Sequence, residues 1–351
     1  MDAAWAEVLL SAELTEDEIL TWHEQLEVWQ AQLDSFAMSL EALRQGWDYP
    51  PLLKVLAGEI TEHGAWAGEA PDWADEFSQI RLRILARQER YEDYLQLAEA
   101  ENQTEQYLTM LAQLGRTEEV MTIAPQRVTT LTEAKAIAAT LRAQNQLPQA
   151  LQIALQGLQL DDANPFLAYE FASWTADLAT GLGNSVAALE ASILGFKARP
   201  VFKDYQTLQT LAGSDWSAVQ TDLLNHLRTT RNWGIEEAQI NIFLHEGLWK
   251  DAIAIASQLS SYYSHLILKV MDAVIESHRQ WVLDNARPRA ESIMDAGQAK
   301  HYHHAVDWLK RVKAAYHALD QNTDWQQYHR QLKETHGRKR KLMGLMEQAN
   351  L

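Results

Sequence analysis

A polar or glycine-containing turn, then a large or branched residue, then an alanine-rich helix start recurs along the chain. It reads RYEDYLQLAEA at 90–100, GRTEEVMTIA at 115–124 and QLPQALQIALQGL at 146–158. It returns as GNSVAALEASILGF at 183–196, GLWKDAIAIASQL at 247–259 and HYHHAVDWLKRVKAAY at 301–316. Aligning Tyr94, Val120, Ala150, Ala188, Ala252 and Ala305 gives steps of 26, 30, 38, 64 and 53 residues, the long ones matching two helical hairpins each. Units of this size cannot bury an apolar face alone, so the pattern predicts helix–turn–helix elements that stack on one another. No segment sustains the period-two alternation of a strand. The expected fold is therefore all-α, a TPR-like α-solenoid of irregular antiparallel helical hairpins. Three segments are expected within it: an acidic N-terminal helical segment at 1–71, a helical-hairpin repeat array at 72–298, and a C-terminal helical unit with a basic tail at 299–351.

Charge is distributed unevenly. The formal net charge is −18, yet residues 1–76 carry 17 acidic and 2 basic side chains, a net of −15. Residues 300–341 carry 10 basic and 4 acidic side chains, a net of +6. An acidic head and a basic tail orient association with a charged partner, while overall acidity argues against a dedicated nucleic-acid binder. Cysteine is absent, which excludes disulfides, thiolate metal sites and thiol nucleophiles from these residues and makes the cytoplasm the expected compartment. No apolar run approaches the ~20 residues of a membrane span. The opening residues lack a basic region followed by an apolar one, so no secretory signal is expected.

Local signals place the helices. Thr15 and Glu18 form a capping-box pattern ahead of Ile19, Trp22, Leu26, Trp29, Leu33 and Phe36, one apolar stripe along about five turns. The next helix is expected to stop near Gly46, with extended backbone through Tyr49-Pro50-Pro51. A loop rich in Gly, Ala and Trp spans 58–71, and Asp72 reads as the cap of a helix bearing Phe77, Ile80, Ile84 and Leu85. Pro148 and Asn164-Pro165 mark helix starts, the second following Asp161-Asp162. Gly181 to Gly183, Arg199-Pro200, Gly213 to Asp215, Asn232 to Gly234 and Arg287-Pro288 punctuate the remainder. Of the 13 tryptophans, Trp22, Trp29, Trp308 and Trp325 fall on apolar stripes and are expected in the core. Trp66, Trp73 and Trp249 lie nearer turns and are expected to be partly exposed.

Three phrases carry a resemblance. They are ALRQGWDYPPL at 42–52, the pair IRLRIL at 80–85 and YLQLAEA at 94–100, and AVDWLKRVKAAY at 305–316 continuing through Trp325 and Tyr328 to the basic run. In this order they resemble the long C-terminal helical region of bacterial SWIM zinc-finger proteins, over about residues 5–346. The resemblance implies a cytoplasmic bacterial protein whose helical part mediates assembly. That family's zinc site is C-x-C followed by C-x-H, and with no cysteine here no residue matches its thiolate ligands. The family's zinc and DNA-binding activities therefore transfer to no position.

Candidate chemistry is sparse. His301, His304 and Asp307 share one helix surface at three-residue spacing, the weak candidate for a divalent metal, with His303 and His317 nearby. Glu13, Glu16, Asp17 and Glu18 surround a helix start, where the dipole favours acidic side chains. No phosphate-binding glycine loop and no nucleophile elbow occurs. Arg330, Lys333, Arg338, Lys339, Arg340 and Lys341 form the one credible contact for a partner or for nucleic-acid phosphates. The sequence thus predicts a non-catalytic scaffold for protein–protein interaction, with no cofactor, no membrane and a protein or peptide partner. The alternatives are a nucleic-acid-associated accessory protein acting through the tail, and an enzyme using an acidic and histidine cleft or the 58–71 loop.

Overall fold

The computed structural model describes every residue except 60, 162, 163, 232 and 233. Two of the expected landmarks, Asp162 and the Asn232 turn, lie outside the described residues. The described residues form α-helices and short 3-10 turns and contain no strand, so the chain is all-α. It divides into two compact units, Met1–Ala198 and Arg199–Leu351. The division falls at the Arg199-Pro200 break, inside the stretch 72–298 that the sequence suggests is one array.

In the first unit, α1 (Asp2–Ser11), α2 (Glu16–Leu33), α3 (Ala37–Gln45) and α4 (Pro50–Leu56) precede a segment whose described residues are not helical. Then come α5 (Ala74–Arg87), α6 (Tyr91–Ala100), α7 (Thr104–Gln113), α8 (Thr117–Arg127), α9 (Leu131–Ala143), α10 (Leu147–Gly157), α11 (Pro165–Gly181) and α12 (Ser185–Ala198). From α5 onward the helices pack in chain order: α6 on α5, α7 on α6, α9 on α7, α10 on α8 and α9, α11 on α9 and α10, and α12 on α11. The second unit holds α13 (Phe202–Ala212), α14 (Trp216–Thr229), α15 (Glu236–His245), α16 (Trp249–Gln258), α17 (Ser264–Val274), α18 (Arg279–Asp295), α19 (Tyr302–Ala318), α20 (Asn322–His336) and α21 (Arg340–Gln348). Its helices likewise rest on their next and next-but-one neighbours, as α17 does on α15, α16, α18 and α19.

One turn module builds these contacts. Glu89, Asn102, Gly115, Asn145, Gly183, Gly247 and Asp320 all have positive φ, between 53° and 74°. Each directly follows a helix C-cap. At each, the residue's own N–H and that of the next residue donate back to the helix in the paired pattern of a Schellman turn, as Glu89 N–H to Ala86 and Arg90 N–H to Leu85. Four residues before the turn lies a buried apolar residue: Leu85, Ala98, Leu111, Leu141, Ala179, Phe243 or Tyr316. Five residues after it lies another: Tyr94, Tyr107, Val120, Ala150, Ala188, Ala252 or Trp325. The turn thus clamps two helices by a buried residue on each side. Five of the six residues aligned in sequence are the second clamp. The sixth, Ala305, is buried at the same fourth position of its helix but follows a 3-10 turn instead.

Glu89 is the poorest match in this series, because a left-handed backbone crowds its Cβ. Glu89→Gly is expected to stabilise the first unit by about 0.5–1 kcal/mol, read from its urea midpoint.

Several local expectations shift. Pro50 and Pro51 do not extend the chain but open α4, with only Tyr49 extended, because the first helical positions need no N–H donor. Asp72 does not cap α5; Trp73 is its N-cap and no side chain caps it. Phe36 sits beyond α2 as the N-cap residue of α3. Pro288 does not end a helix: α18 runs through it, since Val282, Leu283, Ala286, Ala290 and Met294 share one buried face. That burial outweighs the roughly 3 kcal/mol a helix-interior proline costs. The Thr15–Glu18 capping box, the stop at Gly46 and the Asn164 cap on α11 all form.

Candidate functional site

The acidic head is organised around α2, whose two faces differ. Its inner side turns Trp22, Leu26 and Trp29 inward, with the Trp5 ring 5.4 Å from Trp22 and 5.9 Å from Trp29 between centroids. Leu26 is fully buried, whereas Trp22 and Trp29 are half-buried and Leu33, expected on the same stripe, is 62% exposed. The outer side carries Asp17, Leu20, Glu24 and Val28 in solvent, with Leu20 64% and Val28 50% exposed.

Some carboxylates in and around this region serve the fold. Glu18 accepts from the Thr15 N–H at 2.9 Å, which lowers its carboxyl below the ordinary range. Asp2 caps α3 from a distance in sequence, accepting from the N–H groups of Met38 at 2.8 Å and Ser39 at 2.9 Å. Glu101 secures the loop that the enzyme reading singles out. It accepts from Ala65 N–H at 2.6 Å, Trp66 Nε1 at 3.2 Å and Ser78 Oγ at 2.9 Å. Trp66, expected to be partly exposed, is buried because this carboxylate satisfies its indole N–H. Arg81 lies buried beside them, donating to the Gly46 carbonyl at 3.0 Å with its guanidinium 4.6 Å from the Phe77 ring. Desolvation lowers Arg81 to about 10, against the pull of Glu101 and Glu41. No local sequence signal exposes Asp2, Arg81 or Glu101, because each acts on residues 23 to 37 positions away.

An open groove of ≈ 620 Å³ runs between α1 and α5, with Glu7, Val8, Ser11 and Arg87 among its walls. Its carboxylate is already engaged: Glu7 pairs with Arg83 and Arg87, each at 2.7 Å. The Arg83 hydrogen bond, then that of Arg87, holds Glu7 below its ordinary value of 4.5, with desolvation opposing. A carboxyl lowered by folding stabilises fully above its unfolded pKa and loses that contribution as pH falls through the folded value. Glu7→Gln is therefore expected to destabilise the first unit at pH 7 and to flatten its loss of stability below about pH 4.5, measured by urea unfolding across pH.

At the other end of the chain the histidines do not assemble with Asp307. The His301 and His304 rings stack 6.2 Å apart between centroids, and His303 lies 3.9 Å from His304. Asp307 pairs with Lys310 at 3.1 Å. Among the described residues no group of three His, Asp or Glu side chains is placed to hold a metal ion.

The basic residues form two populations. Lys339 is docked: its ammonium donates to the Met294 carbonyl of α18 and lies 3.0 Å from His336 Nδ1. His336 is buried, and desolvation followed by the Lys339 charge lowers its pKa against the attraction of Asp295, 3.5 Å away. Arg330, Lys333, Arg338, Arg340 and Lys341 are exposed at the end of α20, across the turn and on the first residues of α21. Their side chains make no ion pair or hydrogen bond with a described residue. Elsewhere arginines are neutralised in place, as Arg228 is by Asp251 at 2.9 Å and Arg287 by Glu291 at 2.9 Å.

Among the described residues no helix is long and apolar enough to cross a membrane. Comparison with family models, with curated proteins and with solved structures finds no match to this chain.

Proposed function

We propose that this chain is a non-catalytic cytoplasmic scaffold whose run of helices α5 to α12 is a TPR-like array of antiparallel hairpins that receives a protein or peptide partner. The observation that carries this reading is the recurring turn module, with a left-handed residue between two buried clamps at fixed offsets. A module that stacks one hairpin on the next extends a surface by repetition, and extended surfaces of this kind suit partner binding. Fold analogy adds an association, not a mechanism. The kinship with the helical region of SWIM zinc-finger proteins belongs to the same proposal, since its three phrases occupy α3 to α4, α5 to α6 and α19 to α21.

The test is capture on the immobilised chain from a lysate of its source, then reconstitution with the purified captured protein. Hydrogen exchange is expected to slow across α5 to α12 in the reconstituted complex. A chain that yields no reconstitutable partner and turns over a small molecule by itself overturns the scaffold.

A further inference from the structure

We propose that the outer face of α2 is a docking surface for a second copy of this chain, which presents the exposed basic face of α20 and α21. Both faces carry charges that make no side-chain ion pair or hydrogen bond among the described residues. On the acidic side, Glu16, Asp17 and Glu24 of α2 and the neighbouring Glu13 are exposed, and their side chains make no ion pair or hydrogen bond with a described residue. They flank Leu20 and Val28, which are 64% and 50% exposed. On the basic side, Arg330, Lys333, Arg338, Arg340 and Lys341 stand free beside the half-exposed Met343 and Leu345. Each surface therefore mixes apolar groups with charges of one predominant sign, Glu334 being an exposed carboxylate among the cations, and the predominant signs are opposite.

The placement of the cations strengthens the case. Arg340 and Lys341 begin α21, where unsatisfied N–H groups already make the helix end positive. No carboxylate among the described residues pairs with them, so they are open to a partner of opposite charge. The charge asymmetry is also global: the first unit holds 31 acidic and 11 basic side chains, a net of −20, and the second 17 and 19, a net of +2. Two copies attract where first unit meets second and repel where first meets first. Electrostatic complementarity of this kind sets register and orientation more than tightness. The contact is heterologous, a head against a tail, so it grows by addition unless its rotation closes a ring.

This inference rests on the scaffold reading and names a second chain as a partner. Sedimentation velocity of the full chain is expected to show concentration-dependent association at about 0.1 M salt. The association is expected to vanish near 1 M, where the screening length falls from about 10 Å to about 3 Å. A head variant with Glu16→Gln, Asp17→Asn and Glu24→Gln, and a tail variant with Arg338→Ala, Arg340→Ala and Lys341→Ala, alter exposed side chains only. Each alone is expected to associate about ten-fold more weakly or less, while an equimolar mixture regains a heterodimer through the intact tail of one and the intact head of the other. A parent that stays monomeric at 0.1 M salt overturns the proposal, as does self-association of either variant equal to the parent's or a mixture that regains nothing. Saturation of the basic face of a monomeric parent by a DNA duplex also overturns it, in favour of nucleic acid. Neither variant touches α5 to α12, so both should still bind a partner reconstituted there. Loss of self-association alone leaves the scaffold standing, and loss of that partner with self-association intact removes the scaffold reading alone.

Discussion

Trp308→Ala is expected to destabilise the second unit by about 3–5 kcal/mol, the range for emptying a large buried aromatic site. Trp308 lies in α19, is 2% exposed and is the largest of the fully buried side chains among the described residues. It packs where α18 meets α19, and the Arg289 guanidinium of α18 sits 5.7 Å from its ring centroid. Burial already lowers the pKa of Arg289, so removing the ring leaves a half-buried cation beside a cavity. Trp308→Phe keeps an aromatic face and part of the volume, and should recover a substantial share of the loss. Urea unfolding followed by circular dichroism measures both. A change below about 1 kcal/mol for the alanine variant would contradict the packing described for α19.

The second large effect is expected at Gly157, where α10 meets its neighbours. A Cβ there would lie 2.3 Å from the Ala134 Cβ of α9 and 3.3 Å from a Phe171 ring carbon of α11. The nearer atom is fixed directly to a helix backbone and cannot swing aside. Gly157→Ala therefore forces α9 and α10 apart and should cost about 1–3 kcal/mol, even though alanine is the better helix former. Gly157→Val should cost more. Gly195→Ala, whose Cβ would stand 3.0 Å from the Ala172 Cβ, should cost less. Gly344→Ala meets no atom within 4 Å and, as a helix-interior change, should stabilise by up to about 1 kcal/mol. This ordering, measured by thermal unfolding, separates close helix approach from helix propensity. If Gly157→Ala is as benign as Gly344→Ala, α9 and α10 do not approach as described.

The scaffold proposal depends on the same contacts. The surface of α5 to α12 exists only while each hairpin rests on the next, so Gly157→Val is expected to weaken capture of a partner on this run. The α2 and α21 faces lie on other helices.

Reading the turns from sequence works because their physics is local. A left-handed residue, its two back-donated hydrogen bonds and the two flanking clamps lie within ten residues, so Gly115, Asn145, Gly183 and Gly247 announce themselves. Asn102 and Asp320 complete the same module, with Tyr107 and Trp325 as the second clamps, outside the alignment of alanine-rich starts. The prolines mislead for a related reason. Local rules say where a proline costs a hydrogen bond, not whether neighbouring helices bury enough apolar surface to outweigh it, as they do around Pro288.

The candidate surfaces are legible only in part. The charge asymmetry is a property of the sequence, and so is the position of the basic run. Which cations are consumed and which remain free is not: Lys339 is docked on the Met294 carbonyl while Arg338 and Arg340 on either side stay exposed. Likewise the apolar stripe of α2 is visible as a period, but only packing against α1 and α3 buries Leu26 and leaves Leu33 in solvent.

By itself, then, the sequence determined the helical class, many of the turns between helices and the polarity of charge from head to tail. Tertiary structure decided which residues are core, which carboxylates become caps at a distance and which charges lack partners. The division follows the range of the forces. Backbone dihedrals and turn hydrogen bonds are settled within about five residues. Asp2 capping α3, Glu101 securing Ala65 and Trp66, and Arg81 reaching Gly46 join residues 35 to 37 apart, and those pairings exist only once particular helices have met.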